Sequence, residues 1–236
     1  MWKINKNIFV NIADESKIEL TITNKPKTNG STNKRGKISL SQERLDRVIN
    51  LFKKITKGDI DSITKDEADA AATLWHEITH NKHDISYDKK TGKTTEREKN
   101  FKELANEYVA RHTLDEFYKI LGITKTPHPE LITNRPEVGY NPWVRNYQQI
   151  ISYLKLDETI ILNRIKQNLF TGDYREQKRG MAQALLDGGL NEYKYKKKDK
   201  EIKVGIDEAE RLISVCLDEY ADIEKEIKRT LPNFHK

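Results

Sequence analysis

The run Ala70-Ala71-Ala72-Thr73-Leu74-Trp75-His76-Glu77-Ile78-Thr79-His80 constrains this 236-residue chain more than any other stretch. Thr64 and Glu67 form a capping-box pair, and neither Gly nor Pro occurs from Lys65 to Asn81, so a helix is predicted over 65–81. A helix turns about 100° per residue, which sets His76 above His80 on one face. Two imidazoles at that spacing can hold one Zn²⁺ at about 2.0–2.1 Å each. Glu77, next to His76, can reach a water on that metal without binding the metal itself, as the H-E-x-x-H pattern requires. Ala71, Leu74, Trp75 and Ile78 make an apolar stripe beside the histidines, so the helix is expected to pack against a core.

The rest of the chain has the means to build that core. It is 36% hydrophobic and 34% charged, which allows a buried interior under a heavily charged surface. The net charge of +6 permits acidic partners, nucleic acid among them. The single cysteine, Cys216, excludes a disulfide within the chain and fits a reducing compartment; it lies in an amphipathic pattern and reads as a core residue. The opening Met1-Trp2-Lys3-Ile4-Asn5-Lys6 lacks the apolar stretch of a signal peptide, and no run of 18 apolar residues exists. A soluble, cytoplasmic protein with no membrane partner is the expectation.

Trp2, Ile4, Ile8, Val10 and Ile12 alternate with polar residues, as do Ile18, Leu20 and Ile22, which predicts a strand pair joined as a hairpin. Residues 24–36 are basic and rich in turn formers, so a mobile loop is expected. Lys37–Leu40 reads as a third strand, and as a sheet edge on which an extended peptide could pair. Ser39, with Gln42 as its reciprocal partner, is expected to cap a helix whose buried face carries Leu45, Val48, Ile49, Phe52 and Ile55 and which Gly58 ends. The fold class that follows is α+β: a small N-terminal sheet, a backing helix, the H-E-x-x-H helix and a further helix bearing the third metal ligand.

A catalytic zinc site normally takes three protein ligands and keeps one position open. After a loop at 83–95, Thr95 and Glu98 form another capping box, and a helical pattern runs to about Leu121 and Gly122. It offers Glu103 and Glu107, one turn apart, and periodicity does not choose between them. Glu107 is preferred because Ala105, Tyr108, Val109 and Ala110 surround it, whereas Glu103 follows Lys102. His83 and His112 are weaker candidates. For the donor to a developing oxyanion, the chemistry offers Tyr108, Arg111, His112 and Tyr140.

His76-Glu77-Ile78-Thr79-His80 followed by Asn106-Glu107 resembles the gluzincin arrangement of thermolysin-like peptidases. Glu103-Leu104-Ala105-Asn106-Glu107, with Tyr108 and Ala110, is also similar to the second-helix segment of zincin-like peptidases of phage and conjugative elements. The resemblance covers roughly residues 37–121. It implies a zincin-like core, Zn²⁺ as cofactor, His76, His80 and Glu107 as ligands, Glu77 as catalytic base, and a protein or peptide substrate. Thermolysin-like sequences carry an acidic residue where this chain has Arg111, so a carboxylate that orients a ligand histidine must come from elsewhere.

Residues 1–122 thus read as the zincin-like core and 123–236 as a mostly helical region. Prolines at 127, 129, 136 and 142 interrupt any long helix before Val144. Helices are predicted at 144–154, 157–169 and 177–186, and a last one from Asp207, capped with Glu210, to Pro232. Between them, Glu192 to Val204 reads as a basic hairpin in which lysines alternate with Tyr193 and Tyr195. Such a surface could meet nucleic acid. It supports a rival reading, a catalytically inactive zincin-like binding or regulatory module.

Overall fold

The computed structural model describes residues 19–23, 29–33, 37–83, 94–135, 139–198 and 200–236. Helices and two small sheets make up these residues, the α+β class expected. Two compact units separate: residues up to 83 with 110–135, and residues 84–109 with 136–236. Helix α3 (Glu96–His112) contributes residues to both, so neither unit is one continuous stretch of chain.

The first unit holds three strands, β1 (Glu19–Ile22), β2 (Gly30–Thr32) and β3 (Lys37–Leu40), in the order β1-β3-β2. β3 pairs parallel with β1 and antiparallel with β2. It is therefore the central strand, not the edge expected, because Ile38 and Leu40 are fully buried and both its sides are hydrogen-bonded. The segment expected to be a loop at 24–36 contains β2, a strand too short and too polar to show in a hydrophobic pattern. Residues 2–12 of the expected hairpin lie outside the described residues.

Ser39 does not cap the next helix. Its hydroxyl is hydrogen-bonded within the sheet to Thr21 Oγ1 at 2.8 Å. Ser41 takes the capping role for α1 (Gln42–Lys57), accepting from the Arg44 N–H, and Gly58 ends the helix at φ 72°, where a side chain would be strained. α2 (Lys65–Asn81) starts with the predicted capping box: Thr64 Oγ1 accepts from the Glu67 N–H and Glu67 Oε2 accepts from the Thr64 N–H.

From Glu67 to Thr79 every residue of α2 is buried, so its polar side chains need partners inside the protein. Asp69 is held by two arginines: Arg44 from α1 and Arg135, whose Nε donates to Asp69 Oδ1 at 2.7 Å. Arg135 Nη2 also donates to Thr73 Oγ1 at 2.9 Å. Further along the helix, Trp75 Nε1 donates to Thr113 Oγ1 at 2.9 Å, and the indole packs against Phe117. Thr113 is where the long helix expected to end near Leu121 breaks in two. α3 stops at His112, and α4 (Leu114–Ile120) carries Leu114, Phe117 and Tyr118 into the core of this unit.

The second unit is built from α5 (Asn141–Tyr153), α6 (Glu158–Thr171), α7 (Gln177–Asp187), the hairpin β4 (Lys194–Lys197) and β5 (Lys200–Lys203), α8 (Ile206–Val215) and α9 (Ile223–Thr230). Its core includes Tyr147, Ile150, Ile165, Leu185 and Leu212, and Cys216 is buried there as the sequence suggests. The last helix is two helices. Asp218 Oδ1 accepts from the Tyr220 N–H in a side-chain turn, and Asp222 caps the restart. Among the described residues no helix is long and apolar enough to cross a membrane.

The Asp69 cluster ties α1, α2 and Arg135 together. Burial alone would raise its carboxyl pKa, but the charges and hydrogen bonds of Arg135 and Arg44 outweigh that and hold it below 3.8. Asp69→Asn leaves two buried guanidiniums without a counter-charge and is expected to cost about 3–5 kcal/mol at neutral pH. A carboxyl with a depressed native pKa stabilises the fold above its unfolded pKa and loses that contribution as pH falls through the native value. The gap between wild type and variant should therefore close in acid below pH 3.8. Urea unfolding at neutral and acid pH measures both, and equal stability at neutral pH would contradict the assignment.

Candidate metal centre

Two adjacent stripes of α2 form the site. Thr73, Glu77 and Asn81 follow one another at single-turn spacing. This stripe meets β2, where Asn81 Nδ2 donates to Thr32 Oγ1 at 2.7 Å. The neighbouring stripe carries His76, which is buried, and His80, which is half-buried. Their rings stand nearly perpendicular, 84° apart, with Nε2 of one 3.1 Å from Nε2 of the other. Either one ring donates to the other, or both turn lone pairs toward one cation. The separation is close to the ~3.3 Å edge of a tetrahedron with zinc–nitrogen distances of about 2.0–2.1 Å, so these nitrogens fit a metal.

Among the described residues, His76, His80 and Glu103 form a group whose ligand atoms all lie within 4.8 Å of one another, and it could hold a metal ion. Glu103 is a half-buried carboxylate of α3. Glu107, preferred from the sequence, is fully buried one turn further on, beside buried Asn106 and one turn before buried Arg111, and it is not part of that group. Low polarity of the neighbours marks depth, and depth is a different property from facing the histidines. His83 and His112 are half-buried and also stand outside the group.

Glu77 is 5% exposed, so its carboxylate does not stand in bulk water. The strand beside it, β2, pairs on one side with β3. Ser41 N–H donates to the Asn29 carbonyl and Asn33 N–H to the Lys37 carbonyl, which puts the bonded pairs at 29, 31 and 33. The backbone groups of Gly30 and Thr32 therefore point away from β3, and among the described residues no strand pairs with them. The hydrophobic pattern of the sequence carries no signal for this strand.

Of the residues offered as oxyanion donors, Tyr108 is buried and its hydroxyl donates to Glu158 Oε1 at 3.3 Å. Burial first, and then the Glu158 charge, push its pKa far above the usual phenol value. Arg111 is buried; His112 and Tyr140 are half-buried. The basic hairpin of the second unit keeps its lysines outward, but its tyrosines face inward. Tyr193 donates to the Leu154 carbonyl at 2.6 Å and Tyr195 to Glu208 Oε1 at 2.9 Å. Neither ring offers a face on which a base could stack.

Comparison with protein-family models, with curated proteins and with solved structures returns no match for this chain. The ligand set is testable directly. Glu103→Ala should weaken zinc binding by more than the roughly 10–100-fold typical of losing an outer-shell partner. Glu107→Gln should leave zinc affinity within about that range. Titration against a chelating indicator reads both affinities, and the opposite order would make Glu107 the ligand.

Proposed function

We propose that this chain is a zinc-dependent peptidase with a zincin-like core, in which His76, His80 and Glu103 hold the metal and Glu77 is the general base. The observation that supports it most is the pair of Nε2 atoms 3.1 Å apart, one helical turn apart on α2, with Glu77 on the adjoining stripe. A zinc ion bound there supplies Lewis-acid polarisation of the attacking water and of the scissile carbonyl. Glu77 takes a proton from that water and passes it to the departing amine, which leaves as a neutral group. An extended peptide would dock along β2 through the backbone groups of Gly30 and Thr32, with which no strand pairs among the described residues, and its amide would then lie beside Glu77.

The reading of the chain as an inactive, nucleic-acid-associated module finds less support. The positive charge remains, but the tyrosines that would add stacking are turned into the core. A charged hairpin is also how an exposed sheet edge is kept from self-association.

Glu77→Gln should retain about one zinc per chain and lose about 10²–10⁴-fold in peptide hydrolysis. Element analysis together with cleavage of a quenched-fluorescent peptide library checks this. A variant that cleaves as fast as the zinc-loaded wild type would remove Glu77 from the role, and a wild type that binds no zinc would remove the whole reading.

A further inference from the structure

We propose that Gly30 is a positioning residue for Glu77: the bare backbone of β2 fixes where the catalytic carboxylate stands. The proposal rests on the peptidase reading above. A Cβ built on Gly30 would meet Glu77 Oε1 at 2.8 Å, Glu77 Cγ at 3.1 Å and Thr73 Cγ2 at 3.1 Å. Real Cβ atoms essentially never come as close to another heavy atom as the first of these distances. The glycine here is not demanded by backbone conformation, since Gly30 is not among the positive-φ glycines of the described residues, Gly58, Gly122 and Gly189. Its smallness is what matters.

The contact is enforced from both sides. Gly30 is paired opposite Leu40, which is fully buried in the core of the first unit, so the strand cannot drift outward without breaking the sheet. Two residues along the same face of β2, Thr32 is tied to α2 by Asn81. On the helix side, Thr73 is held by Arg135 at 2.9 Å, and Glu77 follows it by one turn. The side chain of Glu77 is thus confined between a strand with no side chain to yield and a helix anchored through the Asp69 cluster. Any larger residue at position 30 would have to push the carboxylate off its place. A proton-transfer group displaced by about 1 Å can cost on the order of 10²-fold in rate.

Two measurements on the full-length protein test this. The first is a melting cycle. Gly30→Ala should lower the melting midpoint by about 3–8 °C in the wild-type background. In a Glu77→Ala background, where the clashing atoms are gone and only Thr73 remains, it should lower the midpoint by less than half as much. If Gly30→Ala alone does not fold, recovery of folding in the double variant gives the same support. An equal loss in both backgrounds, or a double variant that also fails to fold, overturns the contact.

The second measurement is kinetic. Gly30→Ala should keep its full zinc content by element analysis and its KM for a cleaved peptide within about threefold, while kcat falls by about 10–100-fold. A kcat that stays at the wild-type value, or a loss confined to KM, overturns the positioning role. Wild-type protein that binds zinc but cleaves no peptide defeats the peptidase reading, and with it the part given to Gly30 in the reaction. The melting cycle needs no activity, so it decides the Gly30–Glu77 contact independently.

Discussion

A helix buried along its whole middle has to find partners for every polar group it carries, and α2 is such a helix. Between Glu67 and Thr79 it brings Asp69, Thr73, His76, Glu77 and Thr79 into the interior. An unpaired buried polar group costs roughly 1–3 kcal/mol, and a charge more. Asp69 and Thr73 are satisfied by Arg135, with Arg44 completing the ion cluster, and Thr79 donates back to the Trp75 carbonyl at 2.8 Å. The two histidines turn their Nε2 atoms toward each other. The histidines and Glu77, buried on the same helix, are the groups to which the proposed chemistry is assigned.

That division runs along the helix in single turns. Seven residues before His76, Asp69 anchors the helix to α1 and to Arg135 by charge. Thr73 carries the anchoring one turn further, and Asn81 ties the far end to β2. Glu77 lies between these fixed points, and so does Gly30 on the strand that faces it. For the general base proposed here such holding is an advantage, since each degree of freedom removed before a reaction is one that need not be lost during it.

Much of this was legible in the sequence where the signal is local. The capping box at Thr64 and Glu67 marks the start of α2, and the absence of Gly and Pro carries the helix to Asn81. Histidines four apart share a face on any helix, so their convergence needed no tertiary knowledge. Helices α5, α6 and α7 appear within a few residues of where periodicity puts them. The misplaced features are those whose cause is distant in sequence. Ser39 has the right spacing to cap α1, but Thr21 engages its hydroxyl in the sheet. The pattern from Thr95 to Gly122 looks continuous, yet it breaks at Thr113, where Trp75 from another helix claims the hydroxyl.

The sequence by itself offered the two histidines and Glu77 as candidates, because residue type and helical spacing put them together within a single turn. It determined the α+β class and the burial of Cys216 for the same reason: hydrophobic period is a local property. Only the tertiary structure decided that β3 lies between β1 and β2, that Glu103 converges with the two histidines, and that Gly30 stands against Glu77. Each of these depends on which surfaces meet when distant segments pack, and neither periodicity nor neighbour polarity contains that information.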